Sequence, residues 1–216
     1  KDNQESVSME YFQYNVDDDE EIEKVVMVVT RKQGEYRIRV VPDDTALPAD
    51  TFTLEIKTPD STLLLAEDTP ISDIPNEGYF VDVNDDEITP KLNVKIDIQP
   101  FREKNFTATN PENGLAAGRI PVAIISDVGL DATKDIDRES LTFGKTGHEQ
   151  SAILCLPHGI DANKDEMKDL ICFFDGALSE LSHTDTHGIL RGKLMNGEFV
   201  IGVDEIDVAA RALIDR

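Results

Sequence analysis

With 216 residues, 39% of them hydrophobic, and a mean hydropathy of −0.33, the chain has enough apolar material for one large or two ordinary folded domains. No run of about 18 apolar residues is present, which excludes a helical membrane span. The net charge of −23 excludes nucleic acid as a natural partner, because a surface this acidic repels phosphate backbones and favours cations.

Acidity is uneven along the chain. Residues 1–90 carry 23 acidic against 7 basic side chains, net −16, and residues 91–216 carry 21 against 14, net −7. General acidity keeps a protein soluble and is no argument for a metal site by itself. No secretory leader is read at the start, and in a mature chain none is expected.

The first 24 residues are polar apart from Tyr11-Phe12-Gln13-Tyr14, and they include the acidic run Asp17–Glu21, a solvated loop in composition. Tyr11–Val16 reads as a strand that pairs either in its own sheet or in a neighbour's. From Val25 to Val83 the period is two: Tyr36, Ile38 and Val40 alternate with arginines, and Phe52, Leu54 and Ile56 with Thr53, Glu55 and Lys57. Val25–Val29 and Leu63–Leu65 are continuously apolar and read as more central strands. Turn residues separate the runs, at Lys32-Gln33-Gly34, Pro42-Asp43-Asp44, Pro59-Asp60-Ser61 and Pro75–Gly78. This spacing, with no amphipathic helix, predicts an antiparallel β-sandwich. The segment contains no His and no Cys, which removes the commonest nucleophile and base pairs.

Val83–Pro90 reads as a linker, and Leu92–Ile98 as the first strand of a second domain. Asp82, Asn84 and Asp86 alternate and form a weak candidate for a calcium site between domains, the plain linker being the simpler reading. The expected architecture is all-β: two antiparallel β-sandwich-like domains, residues 1–90 and 91–216. Asn105-Phe106-Thr107 fits a glycosylation acceptor, a short and common pattern.

The most informative stretch is Asp161-Ala162-Asn163-Lys164-Asp165-Glu166-Met167-Lys168-Asp169. Side-chain oxygens fall at positions one, three, five and nine, with the Met167 carbonyl at seven, a spacing that wraps a short loop around calcium. Asp161, Asn163, Asp165, Met167 and Asp169 are therefore the candidate Ca2+ ligands, with Ala162, Lys164 and Lys168 facing water between them. The alternative is an acidic surface turn. An EF-hand is excluded, because Cys172 stands at position twelve and no helix-loop-helix pattern surrounds the loop. The loop resembles the D-x-D-x-D-G-x-x-D loops that link strands in extracellular calcium repeats. Glu166 replaces the usual Gly, so either the turn is reshaped or affinity is lowered.

Cys155 and Cys172 flank this loop, each in an apolar run that reads as a buried strand. If the runs pair antiparallel the two sulfurs are adjacent and a disulfide staples the hairpin; two buried thiols are the alternative.

All four histidines, His148, His158, His183 and His187, lie in the second half. His183, Asp185 and His187 would share one face of a strand and form a candidate second metal site for zinc or copper. His158 would lie near the calcium loop. No serine has a nucleophile context and no phosphate-binding glycine loop is present. The absence of Trp weakens a sugar-stacking platform. The tail Val208–Arg216 has helix-forming composition.

A resemblance extends over residues 93–208. The stretch Val94-Lys95-Ile96-Asp97-Ile98-Gln99-Pro100, then Asn110-Pro111, then Gly118-Arg119-Ile120-Pro121-Val122-Ala123-Ile124 resembles an all-β domain found in many secreted and cell-surface proteins of bacteria and archaea. The similarity continues through Phe143–Gly147, the Asp161–Asp169 loop, Leu170–Phe174, Asp185-Thr186, Leu190-Arg191-Gly192, Asn196-Gly197 and Gly202-Val203-Asp204. The departures are Gln99 for the family's Lys, Phe101 for Gly and Glu166 for Gly. Asp50–Ile56 with Pro70–Pro75 is more weakly similar to a β module of surface proteins.

The resemblance implies an extracytoplasmic location, a calcium loop and no enzyme class, since such domains are appended to many different proteins. The function expected is therefore a non-catalytic, calcium-binding structural or assembly module of an envelope or cell-surface complex. Its partners would be other surface proteins or further copies of itself. The rivals are an accessory subunit or metalloenzyme using the histidines, and a carbohydrate-binding module.

Overall fold

Residues of alternating polarity form strands between residues 9 and 209, separated by turns and loops. The computed structural model describes residues 9–14, 23–28, 32–58, 61–76, 78–84, 87–102 and 104–209. In chain order the strands are β1 (Met9–Tyr14), β2 (Glu23–Val28), β3 (Gly34–Ile38), β4 (Thr51–Lys57), β5 (Thr62–Pro70), β6 (Tyr79–Val83), β7 (Ile88–Asn93) and β8 (Ile96–Ile98). They continue with β9 (Phe106–Ala108), β10 (Arg119–Ile124), β11 (Ile136–Gly144), β12 (Ala152–Cys155), β13 (Leu170–Asp175), β14 (His187–Leu194), β15 (Phe199–Glu205) and β16 (Asp207–Ala209). One helical turn, α1 (Ala132–Asp135), precedes β11 and is capped by Asp131, whose side chain accepts from the Thr133 N–H. The fold is all-β, as expected.

A four-stranded sheet, ordered β12-β13-β10-β8, and a six-stranded sheet, ordered β11-β14-β15-β7-β6-β3, carry the main core. Ile96, Ile98, Ile120, Val122, Ile124, Leu170, Cys172 and Phe174 from the first meet Leu141, Phe143, Leu190 and Val200 from the second. The Phe143 and Phe174 rings lie 4.9 Å apart. Gly188, on β14, leaves room for the Phe143 ring and Ile98, since a Cβ there would stand 2.7 Å from Phe143 Cζ and 2.8 Å from Ile98 Cδ1. Gly188→Ala is expected to cost about 1–3 kcal/mol by overpacking, read from chemical denaturation.

Pairing is not wholly antiparallel, because β7 runs parallel to β15 and β9 parallel to β16. The strand expected over Leu92–Ile98 is two strands. The chain leaves β15, where Val94 N–H donates to Ile201 O, and joins β10, where Lys95 O accepts from Ile125 N–H, so it turns the corner from one sheet to the other.

The linker expected over Val83–Pro90 contains the first half of β7. The boundary expected after residue 90 falls inside a strand that pairs β6 on one side and β15 on the other. Asp82 is ion-paired to Lys91, and Asp86 lies outside the described residues. A charged cluster reinforces the junction. Glu35 of β3 accepts from both Lys91 of β7 and Arg191 of β14, with Arg191 Nη2 at 2.8 Å from Glu35 Oε1. The Lys91 and Arg191 side chains are only 7% and 13% exposed. The Arg191 guanidinium holds the Glu35 carboxyl down at about 2; burial opposes this and Lys91 assists it.

The aromatic N-terminal strand pairs with its own chain, β1 against β2. The Asp17–Glu21 run lies outside the described residues, as do residues 210–216 of the expected helical tail, whose start is β16.

Candidate metal centre

The loop at Asp161–Asp169 hangs between β12 and β13. Its mouth is closed by Ile160 and Asp169, which exchange N–H to carbonyl hydrogen bonds of 3.1 and 2.9 Å. Asx-type turns then fold it, because short acidic side chains accept from N–H groups a few residues on. Asp161 Oδ1 accepts from Lys164 N–H at 2.6 Å and Asp165 N–H at 3.2 Å, and Oδ2 accepts from Glu166 N–H at 3.1 Å. Asn163 Oδ1 accepts from Asp165 N–H at 3.1 Å, and Asp165 Oδ1 accepts from Met167 N–H at 2.8 Å. The Asn163 amide also donates to Asp165 Oδ2 at 2.7 Å.

Asp161, Asn163 and Asp165 are thus gathered and exposed. The Asn163 amide first, then the Met167 N–H, holds the Asp165 carboxyl below the usual carboxylate range, so it is ionised at neutral pH. Glu166 resolves the question raised by the missing glycine: it adopts the left-handed backbone itself, with φ of 75°, and Lys164 does likewise at 67°. The turn keeps its shape under strain. Glu166→Gly is expected to raise the thermal midpoint, by about 1 kcal/mol of stability. Glu166→Ala, which removes the same charge without freeing the backbone, should not.

Asp169 differs from the other acids. It is completely buried; Oδ1 accepts from Ser126 N–H at 2.9 Å and Oδ2 from Ala162 N–H at 2.7 Å. Ser126 binds the loop a second time, its hydroxyl donating to Lys168 O and accepting from Ala132 N–H. Position nine is an anchor that ties the loop to the segment after β10. Ala162, expected to face water, instead packs against a small cluster of Ala123, Ile125 and Ile171 on the outer face of the four-stranded sheet. Ser126 gave no signal in the sequence, because its partners in the loop are 42 and 43 residues away.

All loop donors are hard oxygens, the chemistry calcium takes. Among the described residues no three His, Cys, Asp or Glu side chains cluster as a metal-holding group. A cation here would therefore lean on two carboxylates, the Asn163 amide, the Met167 carbonyl and water, a donor set that fits a weak calcium site. Asp97, half-buried on β8, has its carboxyl raised by burial and then by the nearby charge of Asp204.

Cys155 and Cys172 are opposite one another in the β12–β13 register and joined in a disulfide. The histidine site does not form as expected. His183 lies in a turn and His187 begins β14, so no common strand face exists. Asp185 is turned to Ser182 and to Lys145 Nζ at 3.1 Å, and His187 Nδ1 meets Thr186 Oγ1. His158 does line a cleft beside the loop, with Ser126, Met167 and Lys168. The glycosylation pattern is engaged elsewhere: the Asn105 amide donates to Asp204 Oδ2 and Glu205 O, and Thr107 is buried with its hydroxyl accepting from Gln99.

In comparisons with known proteins, no family model matches the chain, and no curated protein or solved structure is significantly similar to it.

Proposed function

We propose that this chain is a non-catalytic, calcium-stabilised structural module of an extracytoplasmic surface or envelope protein. The observation that carries the reading is the oxygen-lined loop at Asp161–Asp169, folded on its own N–H groups and closed at its base by a disulfide. Disulfides persist in oxidising compartments, which supports a location outside the cytoplasm. Two loop carboxylates and an amide suit the weak affinities of extracellular calcium modules, about 10⁻⁴–10⁻³ M. Calcium neutralises Asp161 and Asp165 and binds the folded loop better than the unfolded chain, adding stability by mass action. Among the described residues no helix is long and apolar enough to cross a membrane.

Partners are other surface proteins. Donation of the aromatic N-terminal strand to a neighbour loses its motive, since β1 is paired within the chain. The test is a calorimetric calcium titration of metal-stripped protein and of Asp165→Ala. Submillimolar to millimolar binding that the substitution abolishes supports the reading, and absence of binding in the unsubstituted protein rejects it.

A further inference from the structure

The disulfide and the loop occupy one covalent ring. Cys155 and Cys172 are 17 residues apart and enclose Asp161, Asn163, Asp165, Met167 and Asp169. The two stems of that ring are held very unequally. β13 is central: it pairs β10 over six residues, and its Leu170, Ile171, Cys172 and Phe174 are completely buried. β12 is a four-residue edge strand whose register slips between Ala152 and Leu154, and Ala152, Ile153 and Leu154 all face solvent. Within β12 it is Cys155 that packs on the main core. Short, irregular, solvent-facing edge strands open locally at small free-energy cost. The bond to Cys172 is therefore the principal tie on the stem that leads into Asp161.

We propose that calcium binding and the Cys155–Cys172 disulfide are thermodynamically coupled, so that reduction weakens calcium binding and calcium protects the disulfide from reduction. The inference rests on the calcium reading above. Reduction by a dithiol delivers two electrons and two protons; the Sγ–Sγ bond breaks, two thiols form and the reductant leaves as its own disulfide. In the reduced chain the β12 stem keeps main-chain hydrogen bonds, those of Leu156 to Ile171 and of Ile160 with Asp169 among them, but no covalent closure. More of the ordering of the loop then falls on the binding step and lowers affinity. Coupling in binding free energy is reciprocal, so a cation holding Asp161 and Asp165 together also resists the opening of β12 that exposes the buried Cys172 sulfur.

The experiment uses the full chain in three states: oxidised, reduced by excess dithiol, and Cys155→Ala/Cys172→Ala. Calcium is titrated into each by calorimetry, and free thiols released from the oxidised chain under dithiol are followed in calcium and in magnesium at equal ionic strength. The expected result is a dissociation constant weakened roughly tenfold without the disulfide and thiol release slowed several-fold by calcium but not by magnesium. Equal affinities and equal release rates overturn the coupling while leaving the calcium site standing. An oxidised chain that takes up no calcium overturns both. If the chain unfolds without its disulfide, the release rates alone decide, and identical rates with and without calcium overturn the coupling.

Discussion

Asp169→Ala is expected to lower stability by about 3–5 kcal/mol, because it strands the buried N–H of Ser126 and the half-buried N–H of Ala162 and leaves a void in a fully enclosed position. The loss should already be present in chelator, since the residue anchors the loop whether or not a cation is present. Asp169→Asn, which keeps one carbonyl acceptor, should recover part of it. Equilibrium denaturation in chelator checks both variants. A change below about 1 kcal/mol for Asp169→Ala would show that the Ser126 and Ala162 bonds do not hold the loop.

Glu35→Gln is expected to cost roughly 1–3 kcal/mol at neutral pH, after discounting for the 29% exposure of the side chain, because Lys91 and Arg191 lose their shared counter-charge. The pH dependence has a definite sign. The folded-state carboxyl titrates at about 2 against an ordinary value of 4.5, so its contribution is complete above about 4.5 and is lost as pH falls towards 2. Wild type and Glu35→Gln should thus differ most at neutral pH and converge in acid. Denaturation midpoints measured from pH 7 to pH 2 test this, and parallel curves over that range would rule out the cluster as a stabilising clasp.

Most strand content was legible because the longer strands carry their own alternation or apolar run, as in Thr51–Lys57 and Leu170–Asp175, whereas the three-residue strands Phe106–Ala108 and Asp207–Ala209 carry none. The disulfide was legible as an alternative because Cys155 and Cys172 each stand in such a run at the two feet of one loop. Sheet membership was not. The break at Val94-Lys95 lies in a continuous apolar alternation, and what divides it is a change of hydrogen-bond partner from Ile201 to Ile125. The Glu35–Arg191 contact spans 156 residues and has no local mark. Within the loop, the spacing located Asp161, Asn163 and Asp165 together, but it treated position nine as one more ligand. Burial against Ser126 makes Asp169 an anchor, and that depends on a segment distant in the chain. The histidine site relied on an extended backbone from His183 to His187, where a turn, fastened by Asp185 to Ser182, intervenes.

The most direct test of the account is amide hydrogen exchange across residues 156–169 in metal-stripped protein, with and without millimolar calcium, repeated on Asp165→Ala. The account predicts that calcium slows exchange at the N–H groups of residues 164–167, which the loop's own side chains already hold, and that Asp165→Ala abolishes the effect. Exchange in this loop unchanged by calcium, or slowed equally in Asp165→Ala, would contradict it.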